Sequence, residues 1–137
     1  MKTPDEILQN CKKPEGALGE ETILRMNESH AELTAWGISQ IEIAKQAVVL
    51  DIGCGGGKAL GRLSKKAKDG RLYGLDYSET SVEMAKQENR ADVEMGKMEI
   101  VHGSVSALPF PDGMFDIVTS VESYYFWPDL SHDFREV

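Results

Sequence analysis

The stretch Val48–Lys58, VVLDIGCGGGK, passes from apolar β-forming residues to an acid and then to a loop that contains four glycines. A continuous apolar run is typical of a strand that is covered on both faces, as in parallel sheets. Glycines lack a Cβ, so the backbone of this loop can turn sharply and lie directly against a ligand. A helix after the loop would point its first N–H groups and a partial positive charge at the same place. The stretch therefore predicts a ligand site at the end of a buried strand.

The rest of the chain alternates predicted strands with predicted helices. We expect strands at 47–50, 71–76, 97–102 and 114–121, and helices at 58–67, 80–89 and 128–137. This alternation is typical of βαβ crossovers, which predicts an α/β fold with a parallel sheet and helices on both faces. In such folds, ligands bind beyond the carboxyl ends of the strands. The residues at such ends that could carry chemistry are Asp51, Asp76, Ser104 and Glu122.

The residues before the first strand carry weaker signals. Their prolines and glycines indicate an irregular arm with one short helix near 6–10. A helical pattern follows, and Asn27 or Ser29 can cap its first turn. We therefore expect an N-terminal arm at 1–26 and one ligand-binding domain at 27–137.

Composition and charge argue against several classes of function. The net charge is −8 and the isoelectric point is near 4.9, which disfavours a nucleic-acid partner because phosphate binding needs a basic face. Cys11 and Cys54 are not clustered with each other or with histidines, so they predict neither a disulfide scaffold nor a metal site. The N-terminus lacks the apolar segment of a signal peptide, and no run approaches the ~20 apolar residues of a membrane span. We therefore expect a cytoplasmic protein without a nucleic-acid or membrane partner.

Three kinds of ligand loop compete for the glycine-rich stretch. A P-loop requires GxxxxGK[ST], but Lys58 is followed by alanine, and the first glycine would fall on Ile52. A nicotinamide or flavin fingerprint requires GxGxxG, which fits neither from Gly53 nor from Gly55. The pattern that remains places Asp51 ahead of three alternating glycines. An acid at that position would repel a pyrophosphate but would attract a cation.

This pattern resembles the first motif of class I S-adenosylmethionine-dependent methyltransferases, whose cofactor carries a sulfonium and an ammonium but no phosphate. The resemblance implies cofactor contacts by Asp51, Gly53, Cys54, Gly55 and Gly57. The segment YGLDYS, 73–78, resembles the second motif, which implies that Asp76 holds the ribose hydroxyls and that Tyr77 lies beside the adenine. One carboxylate is well matched to two vicinal hydroxyls.

Two further segments extend the resemblance. HGSVSALPFPDGMFDIV, 102–118, is similar to the third segment of the family, with Ser104 where an acid is usual. This implies that the Ser104 hydroxyl accepts a hydrogen bond from the adenine amine and that the Val105 N–H donates to a ring nitrogen. RMNESHAELTAWGIS, 25–39, resembles a helix that folds over the cofactor pocket in some small bacterial and archaeal members. The contacts that it implies are those of Met26, Asn27 and His30, and a surface role is the alternative for the histidine.

The residues after the fourth predicted strand, VESYYFWPD at 121–129, would lie on the acceptor side of the cofactor. Methyl transfer needs an aligned nucleophile, and it needs a base only if the acceptor must lose a proton. The resemblance implies that Val121 borders the cofactor, that Glu122 acts as base or orients the acceptor, and that Tyr124 begins an aromatic wall. Core packing is the alternative role for the aromatic residues. We expect S-adenosyl-L-methionine as the cofactor and a small molecule as the acceptor.

The resemblance covers about 27–137 and implies a Rossmann-like doubly wound sheet with strand order 3-2-1-4. Members of the family continue into a fifth strand and a hairpin, so we expect a domain truncated after the fourth strand. The apolar edge at 115–121 would then be able to pair with a second copy, giving a homodimer. Two alternatives to an active methyltransferase stay open. One is a catalytically silent binder of S-adenosylmethionine or S-adenosylhomocysteine, and the other is a dinucleotide-binding oxidoreductase domain.

Overall fold

The computed structural model describes residues 3–137, with all of their side chains except those of Ile7 and Asn10. Within this range, four strands form one sheet: β1 at Val48–Ile52, β2 at Arg71–Asp76, β3 at Met98–His102 and β4 at Ile117–Thr119. The order is β3-β2-β1-β4, and every neighbouring pair is parallel. The α/β class, the Rossmann-like parallel sheet and the strand order 3-2-1-4 are therefore confirmed.

Six helices accompany the strands in the described range: α1 at Pro4–Lys12, α2 at Gly16–Ser39, α3 at Lys58–Lys66, α4 at Glu79–Glu88, α5 at Arg90–Glu94 and α6 at Leu130–Glu136. The expectation that most of the N-terminal arm is irregular is wrong, because α2 begins at Gly16 and runs through Asn27. The beginning of α2 packs against Pro14, where a Cβ on Gly19 would lie 2.7 Å from the proline carbonyl carbon. This close contact with the segment just before the helix explains why a glycine is tolerated at this position. No helix in the described part of the chain has the length and apolar character needed to cross a membrane.

Strand β1 is covered on both faces, as its apolar run predicts. Val49 belongs to the core cluster on one face of the sheet, whereas Leu50 and Ile52 belong to the cluster on the other face. All three side chains are at most 1% exposed, and each contributes about 1.5–3 kcal/mol through burial. The end of β1, where the glycine-rich loop begins, is therefore fixed by packing on both sides.

Strand β4 is shorter than the expected 114–121. Phe115 packs into the second core cluster instead of extending the strand. The Asp116 N–H donates to the Val48 carbonyl at 2.9 Å, and its carboxylate accepts from the Val48 N–H at 2.8 Å. This exchange sets the register of β4 before the strand begins. Val118 is 37% exposed, and the pairing of this edge with a second copy stays a prediction.

Helix α4 begins at Glu79, one residue before the expected range 80–89. Ser78 is its N-cap, and the Ser78 hydroxyl accepts a hydrogen bond from the Ser81 N–H at 3.2 Å. The Thr80 hydroxyl instead accepts from the Gly16 N–H at 3.2 Å. The second motif is thereby joined to the beginning of α2.

Candidate functional site

The glycine-rich loop after β1 is held against the end of β2. The N–H groups of Gly53 and Cys54 both donate to the Leu75 carbonyl, at 2.7 and 3.1 Å. Gly53 and Gly55 have φ values of 71° and 53°, in the left-handed region that favours glycine. A Cβ on Gly55 would meet nothing within 4 Å. At Gly55 the glycine therefore serves the turn and leaves the adjoining space open.

Asp76, at the end of β2, fixes both this loop and the beginning of α4. Its Oδ2 accepts from the Gly55 N–H at 2.9 Å, and its Oδ1 accepts from the Ser78 N–H at 2.9 Å. Burial raises the pKa of Asp76, while the two N–H groups act in the opposite direction. Each carboxylate oxygen has a second lone pair. The carboxylate is therefore held rigidly and can still accept hydrogen bonds from a ligand.

Asp51 lies inside β1 and is only 1% exposed. The Thr119 hydroxyl of β4 donates to its Oδ1 at 2.7 Å. Burial raises the pKa of Asp51 to about 7; the Thr119 hydrogen bond lowers it, and the charge of Asp76 raises it further. Neither Asp51 nor Asp76 forms an ion pair with a residue in 3–137. Two carboxyl groups are thus buried together without an ion pair to the described chain, although the charge of His102 acts to lower the pKa of Asp76.

Helix α2 and the segment after β4 approach the loop so closely that a side chain would not fit at Gly56 or at Gly53. A Cβ on Gly56 would lie 2.5 Å from Asn27 Nδ2, and one on Gly53 would lie 2.6 Å from the Ser123 side chain. Ser123 also donates from its hydroxyl to the Ile52 carbonyl at 2.9 Å. The loop is therefore enclosed from both sides.

The N-terminal helices cover the second motif. The Tyr77 hydroxyl donates to the Lys12 carbonyl at 2.6 Å, and the Ser78 hydroxyl donates to the Pro14 carbonyl. The Lys13 ammonium lies 5.5 Å from the centre of the Tyr77 ring. Tyr77 therefore anchors the end of α1 as well as bordering the site.

The segment after β4 is shaped by Glu122, which has φ 53° although it is not a glycine. This conformation costs about 1–2 kcal/mol in an ordinary residue, and such strain is concentrated at functional sites. The Tyr125 hydroxyl donates to Glu122 Oε2 at 2.5 Å. Burial, followed by the hydrogen bond to Glu122, raises the pKa of Tyr125 to about 12. The Glu122 carboxylate is therefore held in one orientation at the edge of the site.

The loop after β3 is fixed by α6. The Ser106 hydroxyl donates to Oδ1 of the buried Asp133 at 2.7 Å, and His132 Nε2 lies 3.1 Å from the Ser106 carbonyl. Within the loop, the Ser106 N–H donates to the Ser104 hydroxyl at 3.1 Å. Ser104 retains one lone pair and its own proton for other partners.

These elements surround one cavity, whose volume is about 1210 Å³ when the solvent space in its open mouth is included. The predicted site residues that line it are Asn27, His30, Asp51, Gly53, Cys54, Gly55, Asp76, Tyr77, Ser104, Val105, Val121 and Glu122, together with Met26. Gly57 and Tyr124 are not among the lining residues. A Cβ on Gly57 would meet Asn89 Nδ2 at 2.6 Å, so this glycine serves the contact between α3 and α4.

Several lining residues were not singled out by the sequence. They are Cys11, Lys12, Pro14, Ile23, Lys58, Arg62 and Ser123. Cys11 and Lys12 lie at the end of α1, and Pro14 lies between α1 and α2. Ile23 lies in the part of α2 that was expected to be irregular. Lys58 and Arg62 lie four positions apart in the helix that follows the glycine loop, and that spacing places both on one face of α3.

Comparison with known proteins gives consistent matches. Residues 50–137 match the profile of a family described as a methyltransferase domain. The chain is 28% identical over 112 residues to the uncharacterized methyltransferase YdaC of Bacillus subtilis, covering 82% of this chain and 60% of that protein. It is 33% identical over 81 residues to demethylmenaquinone methyltransferase of Geobacillus kaustophilus, covering 58% of this chain and 34% of that protein. The chain therefore spans 60% or less of the length of these two relatives.

A solved structure shows the same fold. A Methanococcus maripaludis protein assigned as an S-adenosyl-L-methionine-dependent methyltransferase superposes with a TM-score of 0.69 and 30% identity. The match covers 85% of this chain and 56% of that protein.

Proposed function

The chain belongs to the methyltransferase domain family, and on that premise we propose that it binds S-adenosyl-L-methionine and transfers a methyl group to a small-molecule acceptor. The observation that carries the proposal is the pair of buried carboxyl groups, Asp51 and Asp76, at one cavity. Neither has an ion-pair partner in 3–137. A buried carboxylate is costly unless it is paired. A ligand that carries positive charge and hydroxyl donors would compensate both groups.

The residues present fit such a ligand. Gly55 leaves open space beside the loop, so an adenosine-bearing molecule can lie against the backbone there. Asp76 has a free lone pair on each oxygen for the two ribose hydroxyls, while Ser104 and Val105 border the cavity on the side expected for the adenine. Asp51 lies where its negative charge can offset the positive end of the ligand.

The bound cofactor would supply a methyl group that is already activated by a positively charged sulfur. The chain's own task is then to orient the acceptor and exclude water. Val121, Phe126 and Trp127 give the acceptor side of the cavity an apolar surface. Glu122, oriented by the Tyr125 hydroxyl, can hold an acceptor group or take its proton. The name of one relative, demethylmenaquinone methyltransferase, supports a small-molecule acceptor for this chain too.

Calorimetry with S-adenosylhomocysteine and with NAD tests the cofactor assignment. We expect the first to bind and the second not to bind, since an acid ahead of the glycines repels a pyrophosphate. Asp76→Ala should weaken S-adenosylhomocysteine binding by about 1.5–3 kcal/mol, the contribution of hydrogen bonds to a charged group. Asp112→Ala, on an exposed loop away from the cavity, is the matched control and should bind normally. Tight NAD binding, or an Asp76→Ala variant that binds like the control, would contradict the assignment.

A catalytically silent binder is the second candidate, and the Glu122–Tyr125 hydrogen bond favours it. A carboxylate oxygen that already accepts a hydrogen bond from a hydroxyl at 2.5 Å has one lone pair fewer for contact with an acceptor. Release of labelled methyl groups to a panel of small phenols, amines and carboxylates separates the two candidates. Transfer to any of them supports the enzyme, whereas binding of S-adenosylhomocysteine without transfer supports the silent binder.

A further inference from the structure

The segment after β4 gives the cavity a wall that combines a carboxylate with aromatic rings. Glu122, Phe126 and Trp127 all line the cavity, and we call these three residues the acid–aromatic wall. A short 3-10 helix, Tyr124–Phe126, connects them. The Trp127 N–H donates to the Tyr124 carbonyl at 3.1 Å. The backbone therefore keeps the acid and the rings close together.

Side chains that do not line the cavity hold the wall in place. The Tyr125 hydroxyl donates to Glu122 Oε2 at 2.5 Å. The Tyr125 ring also packs edge-on against the ring of Phe126, with 4.7 Å between the ring centres. The Trp127 ring contacts Phe134 of α6, with 5.1 Å between the ring centres. The carboxylate and both rings are thus positioned by the protein itself.

No cation of the described chain matches the charge of Glu122. Among residues 3–137, no lysine, arginine or histidine forms an ion pair with it. The lining residues with a permanent positive charge are Lys12, Lys58 and Arg62, which belong to α1 and α3. The Tyr125 hydroxyl occupies one lone pair of Glu122 Oε2, which leaves Oε1 for a ligand. The acid–aromatic wall therefore offers an unmatched negative charge.

This combination of groups distinguishes between classes of acceptor. An ammonium group can donate a charge-assisted hydrogen bond to the carboxylate and can lie over an aromatic face by a cation–π contact. A phenolate or a carboxylate would be repelled by Glu122, and a neutral alcohol would leave the charge of Glu122 unmatched. The wall therefore favours a nitrogen that carries positive charge.

We propose that the acceptor is an amine, which binds in its ammonium form between the Glu122 carboxylate and the rings of Phe126 and Trp127. This inference rests on the proposed methyltransferase function and goes beyond it by naming the chemical class of the acceptor. Before transfer, the nitrogen must release one proton to solvent. Its lone pair then forms the N–C bond as the bond between sulfur and the methyl carbon breaks, and the electron pair of that bond stays on sulfur. The positive charge moves from sulfur to nitrogen, where Glu122 stabilises it.

The test compares ligands that differ only in the group at one end of the same skeleton. They are phenethylamine, phenethyl alcohol and hydrocinnamate, and, on an aliphatic chain, hexylamine, hexanol and heptanoate. Calorimetry measures their affinities for protein that is saturated with S-adenosylhomocysteine. The proteins are the wild type, Glu122→Gln, Phe126→Leu and Glu99→Gln. Glu99 is an exposed acid on β3 that does not line the cavity, so its variant is the matched control, and circular dichroism establishes that each variant is folded.

We expect the wild type and Glu99→Gln to bind the amine of at least one skeleton about tenfold or more tightly than the matching alcohol and acid. Glu122→Gln should bring the amine to within about twofold of the alcohol and should leave S-adenosylhomocysteine binding unchanged, because only the charge at the wall is lost. Phe126→Leu should weaken amine binding about two- to fivefold, since it removes a cation–π contact. With S-adenosylmethionine, mass spectrometry should find the added methyl group on the amine nitrogen.

The inference is overturned by a Glu122→Gln variant that binds the amines as tightly as the wild type does. Equal weakening of amine, alcohol and acid also overturns it, because that pattern indicates a structural role for Glu122. So does a wild type that binds S-adenosylhomocysteine but prefers an alcohol or an acid, binds no amine of either skeleton, or binds the amine without methylating it. These results leave the assignment of the cofactor intact, whereas a wild type that does not bind S-adenosylhomocysteine overturns both.

Discussion

The buried acid in β1 should make the stability of the folded chain depend on pH in an unusual direction. Burial raises the pKa of Asp51 to about 7, from 3.8. A group whose pKa is raised by folding contributes stability that is fully present below its unfolded pKa and is lost as the pH rises through the folded pKa. Asp51 should therefore stabilise the fold in its protonated form at about pH 4, and this contribution should disappear by about pH 8.

The size of the effect follows from the same shift. Each unit of pKa difference corresponds to 1.36 kcal/mol, so a rise to about 7 is worth about 4 kcal/mol between pH 4 and pH 8. Asp51→Asn is the decisive variant because it has the same shape and no charge. Its amide oxygen can still accept the hydrogen bond from the Thr119 hydroxyl, which in the wild type is 2.7 Å long.

Urea denaturation of the wild type and Asp51→Asn at closely spaced pH values measures the effect. The difference between their unfolding free energies should be nearly constant below pH 4 and should then shift by about 4 kcal/mol in favour of the asparagine variant by pH 8. Asp112→Asn, on an exposed loop, should follow the wild type throughout. Parallel curves for wild type and Asp51→Asn would refute the argument that burial governs this carboxyl group.

Two further predictions concern packing and reactivity. Gly74→Ala should lower the free energy of unfolding by about 1–3 kcal/mol, because a Cβ there would lie 2.5 Å from Leu60 Cδ1. Gly37→Ala in α2 should raise the free energy of unfolding by about 0.5–1 kcal/mol, because the added atom has open space around it and alanine favours the helix. Urea denaturation of both variants and the wild type measures these differences. Iodoacetamide should alkylate half-buried Cys11 well before buried Cys54, because burial raises the pKa of the Cys54 thiol. S-adenosylhomocysteine should slow the alkylation of Cys11, because Cys11 lines the cavity. Mass spectrometry of quenched samples follows both sites, and equal rates would contradict the burial argument.

The central strands could be predicted because their side chains obey a local rule. The apolar run of β1 reflects burial on both faces, and 71–76 was predicted with the bounds that β2 has. Helix α2 could not be predicted in full, because its beginning is fixed in part by the hydrogen bond from the Gly16 N–H to the hydroxyl of Thr80, which lies 64 positions further along the chain. Likewise, β4 is short because Phe115 packs into the core instead of continuing the strand. In both cases a contact between residues distant in sequence is involved, Gly16 with Thr80 and Phe115 with Tyr73.

The residues of the candidate site also differ in whether local sequence could predict them. Asp51, the glycines and Asp76 lie in short contiguous motifs whose residue types restrict the possible ligand, so the sequence alone places them together. Arg62 and Cys11 gain their positions at the cavity only because α2, α3 and α1 pack around it. Their side chains carry no local pattern that separates them from surface residues. The spacing of Lys58 and Arg62 after the loop was the one available signal.

Folding alone does not explain why an ionisable acid lies near the carboxyl end of each of the strands β1 and β2, beside one cavity. The N–H groups of Gly55 and Ser78 compensate Asp76 in part, whereas among the described residues only the Thr119 hydroxyl donates to the Asp51 carboxyl group. A neutral residue of equal shape at Asp51 would make the fold more stable near neutral pH, by the argument given above for asparagine. A residue that weakens the fold at the pH where it is charged is best explained by a ligand that needs the charge. Such a ligand would stabilise the folded chain in proportion to its own affinity, and it must carry a positive charge close to the bare backbone of the glycine loop.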